Sequence, residues 1–419
     1  MRHGNGFLAL AGLMASLSGC ASSSDSTQGG YQSGQHGAAL RDSTAAAEGG
    51  DAQAQFMTGL MHEQGQGTPR NYTRAAEWYT RAASQGHAAA QCNLGLMCMD
   101  GRGVPLSYED AAQWFARAAG QGLAQAQTNL GVMYVRGDGV PQDFARGQEL
   151  LRAAANQGDA NACRNLASVY ADGLGVAPDA ERATDWLRLG AERGDGLCQY
   201  RFALMCLRGQ GIAPDQARGR QWLTRAAEAG VDEAEFLLGW MYQTGSGQPR
   251  NPQAACQWYQ RAAQHGLAAA QLSLGLMLAS GDSPVPANAT EAARYMGQAA
   301  EQGLALAQHN FGLMHLRGQG VPENRTLAAH WCRLAADQGV VAAQMALGAM
   351  YETGTGEMLD DVQACMWYTI AATRGHDAAL TERDRIASGM TEGQLNDART
   401  LAAQWLAQRA GTPAAAPAR

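Results

Sequence analysis

Residues 75–105 read AAEWYTRAASQGHAAAQCNLGLMCMDGRGVP, and variants of this stretch recur along most of the chain. Most copies are recognised by a tryptophan that is followed eight residues later by a glycine, as at Trp78 and Gly86. The same two positions hold Trp114/Gly122, Leu150/Gly158, Trp186/Gly194, Trp222/Gly230, Trp258/Gly266, Tyr295/Gly303, Trp331/Gly339 and Trp367/Gly375. The copies follow one another at a period of about 36 residues. A fixed period of this length indicates a supersecondary unit that buries its apolar face by stacking on its neighbours. Most of the 419 residues are therefore predicted to form one continuous repeat array.

Each unit is predicted to contain two helices, and its positions are numbered here from the tryptophan as position 0. Position −7 always holds a residue that caps helix N-termini well, namely Asn71, Ser107, Asp143, Asp179, Asp215, Asn251, Asn288, Asn324 and Asp360. The glycine at +8 ends this first helix, helix A. Helix B follows with an apolar stripe, seen at Ala234, Leu238, Gly239 and Met241, and ends in a Gly-x-Gly turn. The small residue at +17 is expected to let a neighbouring helix approach closely.

These patterns predict the fold class: an all-α, right-handed α-solenoid of about nine helix-turn-helix repeats of 36 residues with a C-terminal capping helix. Residues 38–390 form the predicted solenoid. The capping helix is placed at 391–410, because Thr391 and Gln394 have the spacing of a capping box. Residues 411–419 are predicted to be a disordered tail.

The N-terminus reads MRHGNGFLALAGLMASLSGC, with one basic residue, an apolar run and small residues before a cysteine. This order is typical of an export signal. Leu17-Ser-Gly-Cys20 resembles the lipobox of bacterial lipoproteins, which implies cleavage after residue 19 and lipidation of Cys20. Residues 1–19 are thus the predicted signal peptide and residues 20–37 a flexible tether. For a Gram-negative host, Ala21 after the cysteine implies an outer-membrane lipoprotein facing the periplasm.

The repeat resembles a known family. Ala-Ala-x-Trp-Tyr-x-x-Ala-Ala-x-x-Gly followed by Ala-x-x-x-Leu-Gly-x-Met-Tyr-x-x-Gly-x-Gly-Val-Pro is similar to the Sel1-like repeat, a branch of the tetratricopeptide superfamily. The resemblance covers residues from about 38 to 390. It implies a scaffold that binds other proteins.

Several classes of chemistry are excluded or disfavoured. Some cysteine-rich relatives are described as β-lactamase-like, but this chain has no lysine, so all 31 of its basic residues are arginine. The Ser-x-x-Lys and Lys-Thr-Gly motifs of serine β-lactamases and a Walker A lysine are therefore absent. A net charge of −7 offers no nucleic-acid footprint. We expect no enzyme, no cofactor and no metal site.

Cysteines, histidines and methionines mostly occupy repeat positions that a packing role explains. Apart from Cys20, the chain has Cys92, Cys98, Cys163, Cys198, Cys206, Cys256, Cys332 and Cys365. They are predicted to be small buried hydrophobic residues with few or no disulfides. His62 and His315 fill the +20 position that is often tyrosine. The methionines at +19, such as Met97, are predicted to form a core stripe.

One series is open to two interpretations. Arginine stands at +2 or +3 in seven repeats, at Arg81, Arg117, Arg152, Arg188, Arg225, Arg261 and Arg333. A cation near the end of a helix complements its dipole. A row of arginines can also bind carboxylates or anionic polymers. The predicted function is a lipid-anchored envelope scaffold that binds a protein or peptide, with peptidoglycan or exopolysaccharide binding as the alternative and an enzyme as a distant third.

Overall fold

The computed structural model describes residues 36–281 and 285–409, and these residues form 21 α-helices and no strand. The predicted signal peptide, Cys20 and the tail from 411 lie outside them. The helices span α1 His36–Glu48, α2 Ala52–Gln64, α3 Tyr72–Ser84, α4 Ala88–Asp100, α5 Tyr108–Gly120, α6 Ala124–Arg136, α7 Phe144–Asn156, α8 Ala160–Asp172, α9 Ala180–Glu192, α10 Gly196–Arg208, α11 Gln216–Glu228, α12 Asp232–Thr244, α13 Pro252–Gln264, α14 Ala268–Ser280, α15 Ala289–Glu301, α16 Ala305–Arg317, α17 Arg325–Asp337, α18 Val341–Thr353, α19 Asp361–Ala372, α20 Asp377–Ala387 and α21 Glu392–Arg409.

The nine predicted N-caps are all confirmed. Each side-chain oxygen accepts a hydrogen bond from the backbone N–H three residues later, as Asn71 does from Arg74 at 3.0 Å. Nine helices A therefore begin at the same position of their repeats. Each ends just before the +8 glycine, which has a positive φ in every repeat. The all-α solenoid class is thus confirmed, with two helices in each repeat.

The second glycine of the Gly-x-Gly turn is required for two reasons. Gly103 has a φ of 71°, which disfavours residues with a Cβ. A Cβ at this residue would also lie 2.3 Å from the carbonyl carbon and oxygen of Tyr72, at the start of helix A in the same repeat. The contact recurs, for example between Gly139 and Tyr108. This turn therefore fixes how closely one helix B end lies against the helix A before it.

The small residue at +17 lets helices of successive repeats pack, as predicted. A Cβ on Gly95 would lie 2.8 Å from the ring of Phe115, the residue at +1 of the next repeat. Gly348 meets Tyr368 in the same way. The glycines leave space for these large side chains, whose burial supplies much of the apolar contact between repeats.

The predicted methionine stripe is largely buried. Met97 and Met133 are each 1% exposed, whereas Met205 is only half-buried, so one member departs from the expected core position. By packing, the chain divides into two compact units, the first ending at Ala226 and the second beginning at Ala227. Each unit has its own sequence of stacked helix pairs.

The ends of the array differ from the inner repeats. Helix α1 begins at His36, two residues before the predicted start of the solenoid at 38. At the other end, Thr391 and Gln394 form reciprocal bonds of 2.9 and 3.3 Å, which is the capping box. Trp405 on α21 packs edge-on against Trp367 at 5.8 Å and covers part of the last core. No helix among the described residues has the length and apolar character needed to span a membrane.

Candidate binding surface and a charged cluster between repeats

The arginines at +3 form one structural class. Their guanidinium carbons lie 4.4 to 4.7 Å from the ring centre of the tryptophan one helical turn earlier, in the pairs Arg81/Trp78, Arg117/Trp114, Arg225/Trp222 and Arg261/Trp258. Arg81, Arg117 and Arg225 are exposed, and their guanidiniums make no hydrogen bond or ion pair with another described residue. Stacking on tryptophan orders a guanidinium and leaves its N–H groups available to a ligand.

The arginines at +2 have different partners. Arg152 and Arg333 each donate at 2.7 Å to the hydroxyl of the tyrosine at +20, which is Tyr170 or Tyr351. Arg333 also pairs with Glu357. The repeat of Arg188 has Cys206 at +20, and Arg188 instead contacts Asp185 at 2.9 Å. The seven predicted binding arginines therefore divide into a stacked set and a set held by internal partners.

A shallow cavity lies beside the first stacked arginine. It has a volume of about 360 Å³ and is lined by Thr73, Ala76, Glu77, Thr80, Arg81, Gly103 and Val104. Its wall combines a carboxylate, a guanidinium and hydroxyls with the Gly-x-Gly turn. These groups can hydrogen-bond to an extended peptide or to a polar polymer.

A second recurring feature lies between repeats. We call a glutamine at +13 together with the glutamine at +7 of the next repeat a glutamine rung. In the rung of Gln91 and Gln121, the Gln121 Nε2 donates to Gln91 Oε1 at 2.8 Å, and Gln91 Nε2 donates to the Ala83 carbonyl at 3.0 Å. The other four rungs are Gln55–Gln85, Gln127–Gln157, Gln271–Gln302 and Gln308–Gln338. Each rung pairs side-chain amides without introducing charge.

At one place the two rung positions carry a carboxylate and an imidazole. Glu235 takes the +13 position and His265 the +7 position, while Asp232 replaces the alanine or glycine of most repeats at +10. His265 Nδ1 lies 2.7 Å from Asp232 Oδ1 and 3.4 Å from Glu235 Oε2. Arg261 Nε lies 3.0 Å from the other oxygen, Glu235 Oε1. We call these four residues the charged rung.

Glu235 is the unusual member of the charged rung. Its side chain is 0% exposed, and neither carboxylate oxygen accepts a well-aligned hydrogen bond from the described residues. Burial raises the pKa of this carboxyl, against the opposing effects of Arg261 and His265. Sequence reasoning missed the cluster because His265 lies 30 residues beyond Glu235, and only the stacking of two repeats joins them.

The cysteines mostly have the predicted packing role. Free thiols are found at Cys98, Cys163, Cys198, Cys206, Cys256, Cys332 and Cys365, and of these only Cys256 is not fully buried. Cys92 differs, because it is disulfide-bonded. Burial raises the pKa of Cys332 to about 12, so this thiol is a poor nucleophile and metal ligand at neutral pH.

The histidines predicted to fill the tyrosine position are buried, with His62 6% and His315 8% exposed. His87 has a more specific role, which its position beside a turn glycine did not reveal. Its Nδ1 accepts the backbone N–H of Ala90 at 3.2 Å and caps helix α4, while Nε2 contacts Gln53 Oε1 at 2.8 Å. Burial lowers the pKa of His87, which keeps the ring neutral and able to cap.

Comparisons with known proteins agree with this architecture. The family model described as the Sel1 repeat matches nine consecutive segments, 52–87, 88–123, 124–159, 160–195, 196–231, 232–267, 268–304, 305–340 and 341–376. The chain is 31% identical to a Sel1 repeat protein from Oxalobacter formigenes, over 80% of this chain and 98% of that one, with a TM-score of 0.54. It is 30% identical to a protective antigen of uropathogenic Escherichia coli with an SLR fold, over 91% and 98% of the two chains, with a TM-score of 0.42. Among curated proteins no match was found.

The matched repeats and the paired helices define a helical-repeat protein. More specifically, the chain belongs to the Sel1 repeat family. Repeats of this family are generally scaffolds for protein–protein interaction, and proteins built from them are typically not enzymes.

Proposed function

We propose that this protein is a lipid-anchored scaffold of the bacterial cell envelope that binds a protein or peptide partner through its stacked arginines. The observation that carries the binding proposal is the recurrence of an exposed arginine on tryptophan in four repeats, at Arg81, Arg117, Arg225 and Arg261. Three of these guanidiniums, those of Arg81, Arg117 and Arg225, have no hydrogen-bond or ion-pair partner among the described residues. The partner that fits them is a peptide segment with carboxylate side chains, because carboxylates accept the paired N–H groups of arginine.

The proposed site combines charge with apolar surface. Trp78 and Trp114 are half-buried, so each stacked pair presents part of an indole together with a guanidinium. Arginine and tryptophan are the residues that most often dominate the binding energy of protein interfaces. The cavity beside Arg81 adds room for one or two peptide side chains.

The anchoring part of the proposal depends on sequence. Export, lipidation of Cys20 and an outer-membrane position facing the periplasm are proposed from residues 1–21, which lie outside the described residues. Replacing Cys20 with alanine should release the protein from the membrane fraction, while Cys256→Ala should leave it there. Membrane retention of the Cys20→Ala variant would refute the anchor.

The binding surface can be tested by exchanging one set of arginines at a time. The triple variant R81Q/R117Q/R225Q removes three stacked guanidiniums, and R152Q/R188Q/R333Q removes the same charge from arginines with internal partners. We expect envelope proteins cross-linked to the wild type to be lost from the first variant, by at least tenfold, and retained by the second. Equal loss from both variants would contradict a specific role of the stacked set.

The same variants distinguish the alternative ligand. Arginines that recur at one position of the repeat also suit a polymer with repeated anionic groups, such as peptidoglycan or an acidic exopolysaccharide. Co-sedimentation with purified peptidoglycan that disappears in R81Q/R117Q/R225Q, without any protein partner, would favour the polymer.

A further inference from the structure

We propose that Asp232, Glu235 and His265 of the charged rung form a binding site for one divalent transition-metal ion, of which zinc is the representative. Each of the three side chains offers one ligand atom, and all three atoms lie within 4.8 Å of one another. Donors around tetrahedral zinc are separated by roughly 3.4 Å, given bond lengths near 2.1 Å. His265 Nδ1 lies 2.7 Å from Asp232 Oδ1 and 3.4 Å from Glu235 Oε2, so zinc binding would need only small side-chain movements.

The replacement of three residue types at one place supports the proposal. Five glutamine rungs show that the fold is stabilised at these positions by neutral amides. At the charged rung, both amides and a neighbouring small residue are replaced by carboxylates and an imidazole. Packing alone does not call for this exchange, because a buried carboxylate is costly where a glutamine fits.

The buried carboxylate is a second and independent observation. Glu235 is 0% exposed, and its Oε2 has no hydrogen-bond donor among the described residues apart from the His265 ring 3.4 Å away. Arg261 faces the other oxygen, Oε1, so Oε2 is the oxygen whose charge a bound metal ion would neutralise. The metal would take the place of the proton that now lies between His265 Nδ1 and Asp232, since a carboxylate can only accept.

Arg261 is compatible with this arrangement. Its Nε lies 3.0 Å from Glu235 Oε1, the oxygen that faces away from His265. In metal sites a ligating carboxylate commonly has its second oxygen held by a neighbouring group. Arg261 would thus orient Glu235 and leave Oε2 for the metal.

The donor set indicates the class of metal. An imidazole with two carboxylates suits first-row transition ions, whereas calcium and magnesium prefer sites built from oxygen alone. Asp232 and His265 are 38% and 47% exposed, so an ion and its remaining water ligands can reach the site from solvent.

Isothermal titration of the metal-free full chain with Zn²⁺ tests the proposal. We expect one site that binds in the micromolar range and is weakened at least tenfold by E235Q/H265Q and by D232A. E235Q/H265Q restores the residues of a glutamine rung, so it should fold, which circular dichroism will verify. H330Q, which changes an exposed histidine elsewhere, should bind as the wild type does. The proposal is wrong if the wild type binds no zinc at about 100 µM, or if E235Q/H265Q binds it equally well.

Cobalt provides a second measurement that separates this site from the thiols. Co²⁺ bound to one nitrogen and carboxylate oxygens gives visible bands without thiolate charge transfer. These bands should disappear in E235Q/H265Q and remain in H330Q. An intense thiolate-to-cobalt band that persists in E235Q/H265Q would assign the metal to cysteine and overturn the proposal.

Discussion

The repeats of residues 52–123 and the repeat of residues 232–267 are built on the same positions but use them differently. In the first region, Gln91 and Gln121 connect successive helices through neutral amides. In the second, Glu235 and His265 occupy the equivalent positions and bring Asp232 and Arg261 into one charged cluster. The comparison shows that the backbone of the repeat tolerates a change of chemistry at the rung, because caps and glycine turns fix the helices independently of it.

The largest expected effect tests whether the Gly-x-Gly turns stabilise the repeats of residues 52–123. Gly103→Ala should lower the free energy of unfolding by about 3 kcal/mol or more, because it adds backbone strain to a clash with Tyr72. Gly122→Ala is the control, since it also has a positive φ but no atom within 4 Å of the added Cβ. It should cost about 1 kcal/mol. Urea unfolding measures both, and equal losses would show that backbone strain alone matters.

The next largest effect is the loss of stability when an arginine that stacks on tryptophan is removed from each of the two regions. Arg261→Ala removes the counterion of buried Glu235 and should destabilise the second unit by about 2 kcal/mol. Arg81→Ala removes the same stacking on tryptophan without an ion pair and should cost less than about 1 kcal/mol. Adding E235Q to Arg261→Ala should recover most of the loss in urea unfolding. A loss that E235Q does not relieve would mean that the ion pair is unimportant.

A smaller effect of opposite sign is expected when the charged rung is converted into a glutamine rung. In metal-free buffer, E235Q/H265Q should raise the free energy of unfolding by about 1 kcal/mol, because it removes a buried carboxylate that lacks aligned donors. E233Q, which neutralises an exposed glutamate on the same helix, should change stability very little. Thermal unfolding of the three proteins checks this, and a clear destabilisation by E235Q/H265Q would contradict it.

The smallest expected effect is on the pH dependence of stability, and it concerns His87 in the repeats of residues 52–123. The pKa of His87 is lowered by burial, so the folded state binds fewer protons here than the unfolded state. The stability contributed by neutral His87 is therefore complete above the unfolded pKa near 6.5 and is lost as the pH falls through the folded value. His87→Asn keeps an N-cap that does not titrate, and it should unfold with a weaker pH dependence between about pH 7.5 and 5. An unchanged dependence in urea unfolding would exclude this role.

The sequence by itself determined the helices and their ends. Caps such as Asn71, stop glycines such as Gly86 and the apolar stripe act through contacts within a few residues, so their spacing was sufficient to predict the repeat. It also placed the seven arginines at two positions, +2 and +3. Which of them stack on tryptophan was not evident, because a difference of one residue changes the side of the helix from which a side chain projects.

Only the tertiary structure decided the side-chain contacts between helices. Arg152 reaches Tyr170 eighteen residues away, and Gln121 reaches Gln91 thirty residues away, distances that no local pattern encodes. The same holds for Glu235 and His265, which looked like ordinary helix and turn residues in the sequence. Stacking brings together positions that are one repeat apart, and burial then determines whether a polar residue there needs an amide or a counterion.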